Sequence, residues 1–236
     1  RGLRKAPGKD HLRVIDFIGN YKNNYLIPMA LFGDSSRNKS NMKGKVVDPS
    51  PIPSGSTVSF DEIAKEKILK AIDTASLDTI AEFKKDIQLL QYRLNRVPRL
   101  MDFARFDLVD PVVISTRRTK NYWELLHRVG KAETEPTQRQ SEYLKFLSRE
   151  LLPGKQPQEL LLLEQLIKHG SLTRGEFSDL LGTKSVSNSD QDLSVVERVL
   201  NLEFYPKRAY EEISLVHYDD ETSRYRLTDE FLALYL

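Results

Sequence analysis

Arginine and lysine are the residues of this sequence best suited to chemistry with a ligand, because they are concentrated in two stretches. Residues 84–131 carry eleven of them against five acidic residues, and residues 1–45 carry ten against three. Guanidinium and ammonium groups bind phosphate oxygens through charge-assisted hydrogen bonds. In a chain with a net charge of only +2, this unevenness predicts a polyanionic partner for part of the surface. The alternative is that both stretches form only solvated faces.

The stretch 84–131 is predicted to be a compact helical unit that binds DNA. A long amphipathic helix, a turn with Pro98, short helices and a last helix containing YWELL give the outline of a helix-turn-helix. The LNRVP, DF and YWELL pattern resembles small helix-turn-helix units of DNA-acting enzymes, with Asn95 where glycine is frequent. We expect Tyr122, Trp123, Leu125 and Leu126 in its core. Phosphate contacts of low sequence specificity are expected from Arg93, Arg96, Arg99, Arg105, Arg117, Arg118, Lys120 and Arg128.

The start of the chain contains a second arginine pattern, RGLR, followed by KAPGKDHLRVIDFIGNYKNNYLIP and by FDEI at 60–63. RGLR resembles motif VI of superfamily 2 helicases. The longer string resembles a bacterial group in which a DEAD/DEAH-type helicase core precedes a domain of unknown function, often behind a phospholipase-D-like nuclease domain. This resemblance covers nearly the whole chain. It implies the C-terminal region of such a helicase, cut from a longer protein.

The resemblance assigns roles to the first two arginines. Arg4 would be the arginine finger of an ATP site, and Arg1 a second contact to the ATP phosphates or a contact between the two lobes. A planar guanidinium group can stabilise the charge that develops during phosphoryl transfer. ATP and magnesium are implied for the longer protein, with the rest of the helicase core as partner in the same polypeptide. No GxxxxGK[ST] motif occurs in the sequence, so we expect the fragment to bind no cofactor and to be inactive alone.

The C-terminal part, 138–236, is predicted to be a winged helix that ends in a β-hairpin. Its presumed recognition helix has Asp190, Asp192 and Glu197 against Arg198, and the hairpin turn is DDET. Acidic groups repel phosphates, which favours docking to a protein partner or to the helicase core. A minor alternative is DNA binding through basic residues of the same part: Lys207, Arg208, Arg224 and Arg226.

Several classes of function are excluded by composition. The sequence has no cysteine, and its four histidines show no ligand spacing, so we expect no metal site. Asp16, Asp34 and Asp61 are expected to cap helices or form turns rather than to bind metal. No stretch has the composition of a signal peptide or a membrane span. We therefore expect a cytoplasmic protein without a membrane partner.

The predicted fold class is mainly α with small β elements. The expected parts are the end of a recA-like lobe in 1–45, the helix-turn-helix-like domain in 56–131 and the winged helix in 138–236. LRVIDFIG is expected to be a buried strand, STVSF a brief strand, and residues 77–94 a helix that stops at Asn95. The four consecutive leucines at 160–163 are expected at the centre of a core, and Ile213, Leu215 and His217 on one side of the hairpin.

Overall fold

The computed structural model describes residues 14–15, 23–49, 57–206, 209–210 and 213–235. The chain divides into two compact units, residues 1–77 and 78–236. The described residues are mainly helical, with one small three-stranded antiparallel sheet. The predicted class, mainly α with small β elements, is confirmed.

No helix in these ranges is both long enough and apolar enough to cross a membrane.

The first unit contains three described helices: α1 (Leu26–Phe32), α2 (Lys39–Val47) and α3 (Glu62–Thr74). Asn38 and Asp61 cap α2 and α3, because their side chains accept hydrogen bonds from backbone amides of the first turn. The two helices pack through Met42, Val46, Ile68 and Ile72, and Leu77, just after α3, joins the same core. Lys43 also pairs with Asp73 at 2.5 Å. The sequence-predicted cap at Asp61 is confirmed.

The second unit begins with four helices: α4 (Ile80–Leu94), α5 (Leu100–Arg105), α6 (Pro111–Thr116) and α7 (Tyr122–Arg128). Thr79, Asp110 and Asn121 cap three of them with their side chains. Apolar residues spaced three and four apart in α4 enter a core with residues of the shorter helices: Phe83, Ile87, Leu90, Phe103, Val109, Ile114, Leu125 and Val129.

In the rest of the second unit, α8 (Gln138–Phe146) continues into a π-helical segment (Leu147–Leu151). Four further helices follow: α9 (Pro157–His169), α10 (Arg174–Thr183), α11 (Asp190–Leu200) and α12 (Asp229–Tyr235). A separate core joins them around Tyr143, Phe146, Phe177 and Tyr225. Glu230 of α12 accepts a hydrogen bond from the Tyr143 hydroxyl at 2.8 Å and pairs with Arg139. The Arg139 and Tyr143 hydrogen bonds lower the pKa of Glu230 to about 2, so this link holds at neutral pH.

The sheet has the order β1, β3, β2, with β1 (Ser171–Thr173), β2 (Val216–Asp219) and β3 (Arg224–Leu227). Both pairings are antiparallel. Tyr225 of the central strand β3 lies between Leu172 of β1 and Tyr218 of β2. Asp219 accepts hydrogen bonds from the Glu221 and Thr222 backbone amides and closes the hairpin turn. The predicted hairpin is therefore present.

Some local predictions are wrong. Residues 57–60 form no strand, while α6, α12 and β1 were not predicted. In the hairpin, Ile213 and Leu215 are buried but precede β2, and His217 is exposed. Of LRVIDFIG, only Val14 and Ile15 are described, and both are exposed and outside any strand. The domain limits 1–45, 56–131 and 138–236 stay predictions.

The leucine run of α9 is only half in the core. Leu162 is 0% and Leu163 6% exposed, whereas Leu160 is 41% exposed. Four consecutive helical residues point in directions about 100° apart, so one side of the helix cannot bury them all. The prediction that the run forms the centre of a core is correct only for its last two members.

Truncating two leucines of the same helix should separate these environments. Leu162→Ala is expected to lower the free energy of unfolding by about 3 kcal/mol, because it leaves a cavity. Leu160→Ala is expected to change it by less than about 1 kcal/mol, since that side chain is already in contact with water. Urea unfolding followed by circular dichroism measures both. Equal losses would contradict the packing of α9.

Candidate nucleic-acid interface

The end of α4 sets the geometry of the predicted phosphate-binding surface. Asn95 ends the helix with φ of +52°, in the left-handed region that asparagine adopts more readily than most residues. The chain reverses there and reaches α5 within five residues. This turn brings Arg96 beside Asp102 in the first turn of α5. The turn predicted at Asn95 is confirmed.

Asp102 is a nearly buried carboxylate, 3% exposed, shared by two arginines. Arg96 donates through both terminal nitrogens, Nη1 to Oδ2 at 2.7 Å and Nη2 to Oδ1 at 3.1 Å. The Arg99 backbone amide also donates to Oδ2, at 2.7 Å. Arg105 is more distant, with Nη1 at 3.9 Å from Oδ1. The hydrogen bonds from Arg96 and from the Arg99 amide hold the pKa of Asp102 below its usual value, so the carboxylate stays charged.

Asp78 forms the second shared pair, between the start of α4 and the turn before α7. Arg117 donates from Nε to Oδ2 at 2.8 Å, and Arg118 from Nη2 to Oδ1 at 2.7 Å. Arg118 also donates from Nε to the Asp78 carbonyl oxygen at 2.7 Å. Burial alone would raise the pKa of Asp78, but the hydrogen bonds from Arg117 and Arg118 outweigh it and lower that pKa.

Each of the two carboxylates has two arginines beside it, Asp102 with Arg96 and Arg105, and Asp78 with Arg117 and Arg118. Hydrogen bonds fix Arg96, Arg117 and Arg118 without neutralising the surface. Two carboxylates face four guanidinium groups, so two positive charges remain in excess. The four arginine side chains keep between 43% and 76% of their surface exposed. They combine a structural role with an available cationic surface.

The other four predicted phosphate contacts have fewer constraints. Arg93, in the last turn of α4, and Arg99, just before α5, are exposed and have no ion-pair partner among the described residues. Arg128 is exposed and donates to the Arg118 carbonyl oxygen at 3.3 Å. The Lys120 Nζ lies 3.7 Å from Glu142 Oε1, and the other oxygen of Glu142 pairs with Lys145 Nζ at 3.2 Å.

The aromatic and leucine residues of α7 divide between core and boundary. Leu125 is fully buried, and Tyr122 packs edge-on against Phe103 while its hydroxyl donates to the Pro98 carbonyl at 2.9 Å. Trp123 and Leu126 are half-buried, and the Trp123 indole donates to the Thr134 carbonyl at 2.8 Å. Of the four residues predicted to lie in the core, only Leu125 is fully buried, and the other three are partly exposed at its edge.

The acidic residues of α11 are largely engaged within the fold. Asp190 pairs with Arg174 at 3.0 Å, and Asp192 forms a capping box with Ser189. Glu197 is half-buried. Burial raises its pKa, and the nearby charges of Asp220 and Glu203 raise it further. Arg198 is paired with Glu203 at 2.7 Å. The acids of α11 therefore act mainly within the fold.

Several predicted residues lie outside the described ranges: Arg1, Arg4, Asp16, Lys207 and Arg208. Asp34 is described, and it accepts the Ser36 backbone amide at 3.0 Å and pairs with Lys45, as a turn residue does. Within the described ranges, no three histidine, aspartate or glutamate residues come together as metal ligands would.

Two features of this surface were not predicted. The first is the pair of shared carboxylates: Asp102 was only counted as an acid and Asp78 was not considered, although an aspartate in the first turn of a helix, as Asp102 is, commonly binds a preceding backbone amide. The second is an open groove of about 600 Å³ beside α4, lined by Gln88, Gln91, Tyr92, Asn95 and Lys131. The spacing of its helical residues, three to four apart, marks one face of α4.

Asp78 should contribute stability that depends on pH. Because its pKa is lowered in the folded chain, its contribution is present above the usual value of about 4 and is lost as the pH falls through the folded value. Asp78→Asn is expected to cost about 1 kcal/mol at neutral pH, since its exposed partners are screened by solvent. The cost should shrink toward pH 2. Urea unfolding at several pH values measures this.

The matched control is Asp179→Asn, an exposed aspartate in α10. It should change the free energy of unfolding little at any pH, because surface substitutions rarely do. A cost for Asp78→Asn that is the same at pH 7 and at low pH would contradict an ionic role for Asp78.

Comparison with known proteins adds one result to this geometry. The chain matches no curated protein. A family model matches residues 83–236. The match includes most of α4, the arginines of both shared groups, Asp102, and the C-terminal helices with their sheet, whereas Asp78 precedes it. The match covers more than half of the sequence. The chain therefore belongs to the family described as Domain of unknown function (DUF8090).

Proposed function

We propose that this chain is the C-terminal accessory region of a bacterial superfamily 2 DNA helicase, and that residues 84–131 bind DNA with low sequence specificity. The observation that carries the proposal is the excess of exposed positive charge in this stretch. Asp78 and Asp102 each neutralise only one of two arginines, and Arg93 and Arg99 have no ion-pair partner in the described ranges. Contacts to phosphate oxygens bind any sequence, as a helicase requires.

The fixed positions of the arginines favour this function over a merely solvated surface. A side chain that is already ordered loses less conformational entropy when it binds a phosphate. Asp102 orders Arg96, and Asp78 orders Arg117 and Arg118. The protein therefore offers cations that need little rearrangement on binding.

The motor function would belong to the longer protein. By the resemblance of RGLR to motif VI, Arg4 would act as arginine finger and Arg1 as a second phosphate contact, with ATP and magnesium held largely by parts of the helicase core that this sequence lacks. Residues 1–45 would be the end of the second recA-like lobe. The fragment alone would then be inactive, and the rest of the core would be its partner in the same polypeptide. We place this activity in the cytoplasm.

The C-terminal half, 138–236, is proposed to be a winged helix. The order α9, β1, α10, α11 and the β2–β3 hairpin supports this, because a winged helix combines three helices with a small antiparallel sheet. A second candidate function is docking of this half to a protein. The observation that favours it is that the turn of the β2–β3 hairpin exposes two acidic side chains, Asp220 and Glu221, which would attract a cationic surface and repel phosphates.

DNA binding by the arginine surface should be steeply dependent on salt. Replacing Arg93, Arg99 and Arg105 with alanine removes three exposed guanidinium groups without disturbing the Arg96–Asp102 pair. The slope of log affinity against log salt is expected to fall by about 2 to 3, since each duplex phosphate contact contributes about 0.9. Fluorescence anisotropy of a labelled random-sequence duplex over a salt series measures this.

A matched control changes the same amount of charge elsewhere in the second unit. Arg149, Lys155 and Lys184 are exposed cations outside residues 84–131, and their replacement with alanine should leave the slope nearly unchanged. Equal effects of the two triple variants would show that total charge, not this surface, governs binding. Absence of binding at low salt would disprove the proposal and leave docking as the candidate.

A further inference from the structure

The groove beside α4 is lined mainly by polar side chains. It is a shallow groove of about 600 Å³, open to solvent, between one face of α4 and the chain that follows α7. Three amide side chains, one aromatic ring and one lysine line it: Gln88, Gln91, Asn95, Tyr92 and Lys131. None of these residues is acidic. The groove therefore offers amide donors and acceptors beside a positive charge.

One lysine lines this groove, and a second lies one helical turn before it on α4. Gly130, with φ of +72°, turns the chain after α7, and the Lys131 backbone amide donates to the Leu126 carbonyl at 2.8 Å, which holds Lys131 opposite α4. Lys84 is exposed one helical turn before Gln88, on the same face of α4. Neither lysine side chain has an ion-pair partner in the described part of the chain. The nearest acid on α4, Asp86, is buried.

Tyr92 is the most unusual residue of the groove. It is 89% exposed, whereas Phe83 in the same helix is fully buried. Its ring contacts no other ring, and its hydroxyl has no hydrogen-bond partner, within the described residues. Exposing a large ring to water gains nothing for the folded chain. An exposed ring beside positive charge is the arrangement by which proteins stack the bases of single-stranded nucleic acid.

We propose that this groove binds single-stranded DNA, with one unstacked base lying on the Tyr92 ring. Gln88, Gln91 and Asn95 supply hydrogen bonds to the base edge, and Lys84 and Lys131 neutralise the flanking phosphates. A base inside a duplex is stacked on its neighbours and cannot lie on this ring, so the groove distinguishes single strands from duplex. The inference rests on the proposed DNA-binding function and adds the form of DNA and the residue that contacts the base.

The experiment compares Tyr92→Ala and Tyr92→Phe on two probes. Fluorescence anisotropy measures their affinity for a labelled oligothymidylate and for a labelled duplex of the same charge. Tyr92→Ala is expected to weaken binding of the single strand about tenfold, because one stacked base is lost. Tyr92→Phe keeps the ring and should bind within about twofold of the wild type. Duplex affinity should not change for either variant.

Leu89→Ala is the matched control, because Leu89 is another partly exposed apolar residue of α4 that does not line the groove. It should bind both probes as the wild type does, and circular dichroism should show the same helix content for all variants. Wild-type affinity for oligothymidylate with Tyr92→Ala would overturn the inference while leaving DNA binding intact. The inference would also be overturned if Tyr92→Ala weakened binding of the single strand and of the duplex equally, or if Tyr92→Phe weakened binding of the single strand as much as Tyr92→Ala does. Binding of neither probe by the wild-type chain would overturn the proposed function as well.

Discussion

The sharing of one carboxylate by two arginines is the interaction on which the basic half of this protein depends. Asp102 ties the turn after α4 to α5, and Asp78 ties the start of α4 to the turn before α7. Both ends of α4 are thus fixed by ion pairs, while its apolar face is fixed by the core. Each carboxylate is outnumbered by its arginines, so the same contacts that order this region leave it positively charged.

Charge is distributed so that the two halves of the second unit suit different partners. Cations between α4 and α7 are in excess, whereas the turn of the β2–β3 hairpin exposes Asp220 and Glu221. A polyanion would be attracted to the first surface and repelled by the second. Both lie within the part of the chain that the DUF8090 family model matches, so that one family region contains two surfaces of opposite sign.

Local patterns in the sequence predicted what local interactions determine. The period of apolar residues predicted α4, and Asn95 and Asp61 were recognised as a helix end and a cap, because each depends on neighbours within one turn. Contacts between residues distant in sequence could not be predicted from local patterns. Arg117 binds Asp78, 39 residues before it, and β1 exists only because Ser171–Thr173 pairs with Arg224–Arg226. The groove needed the same long-range information, since Lys131 meets α4 only in the fold.

The central claim is that DNA binds to the surface between α4 and α7, and amide chemical shifts measured during a titration with oligothymidylate test it most directly. Resonances of residues 84–105 and 117–131 are expected to shift together and to saturate, while those of α11 stay in place. Shifts confined to α11 and the β2–β3 hairpin, or no saturable shift at low salt, would contradict the assignment of this surface to nucleic acid.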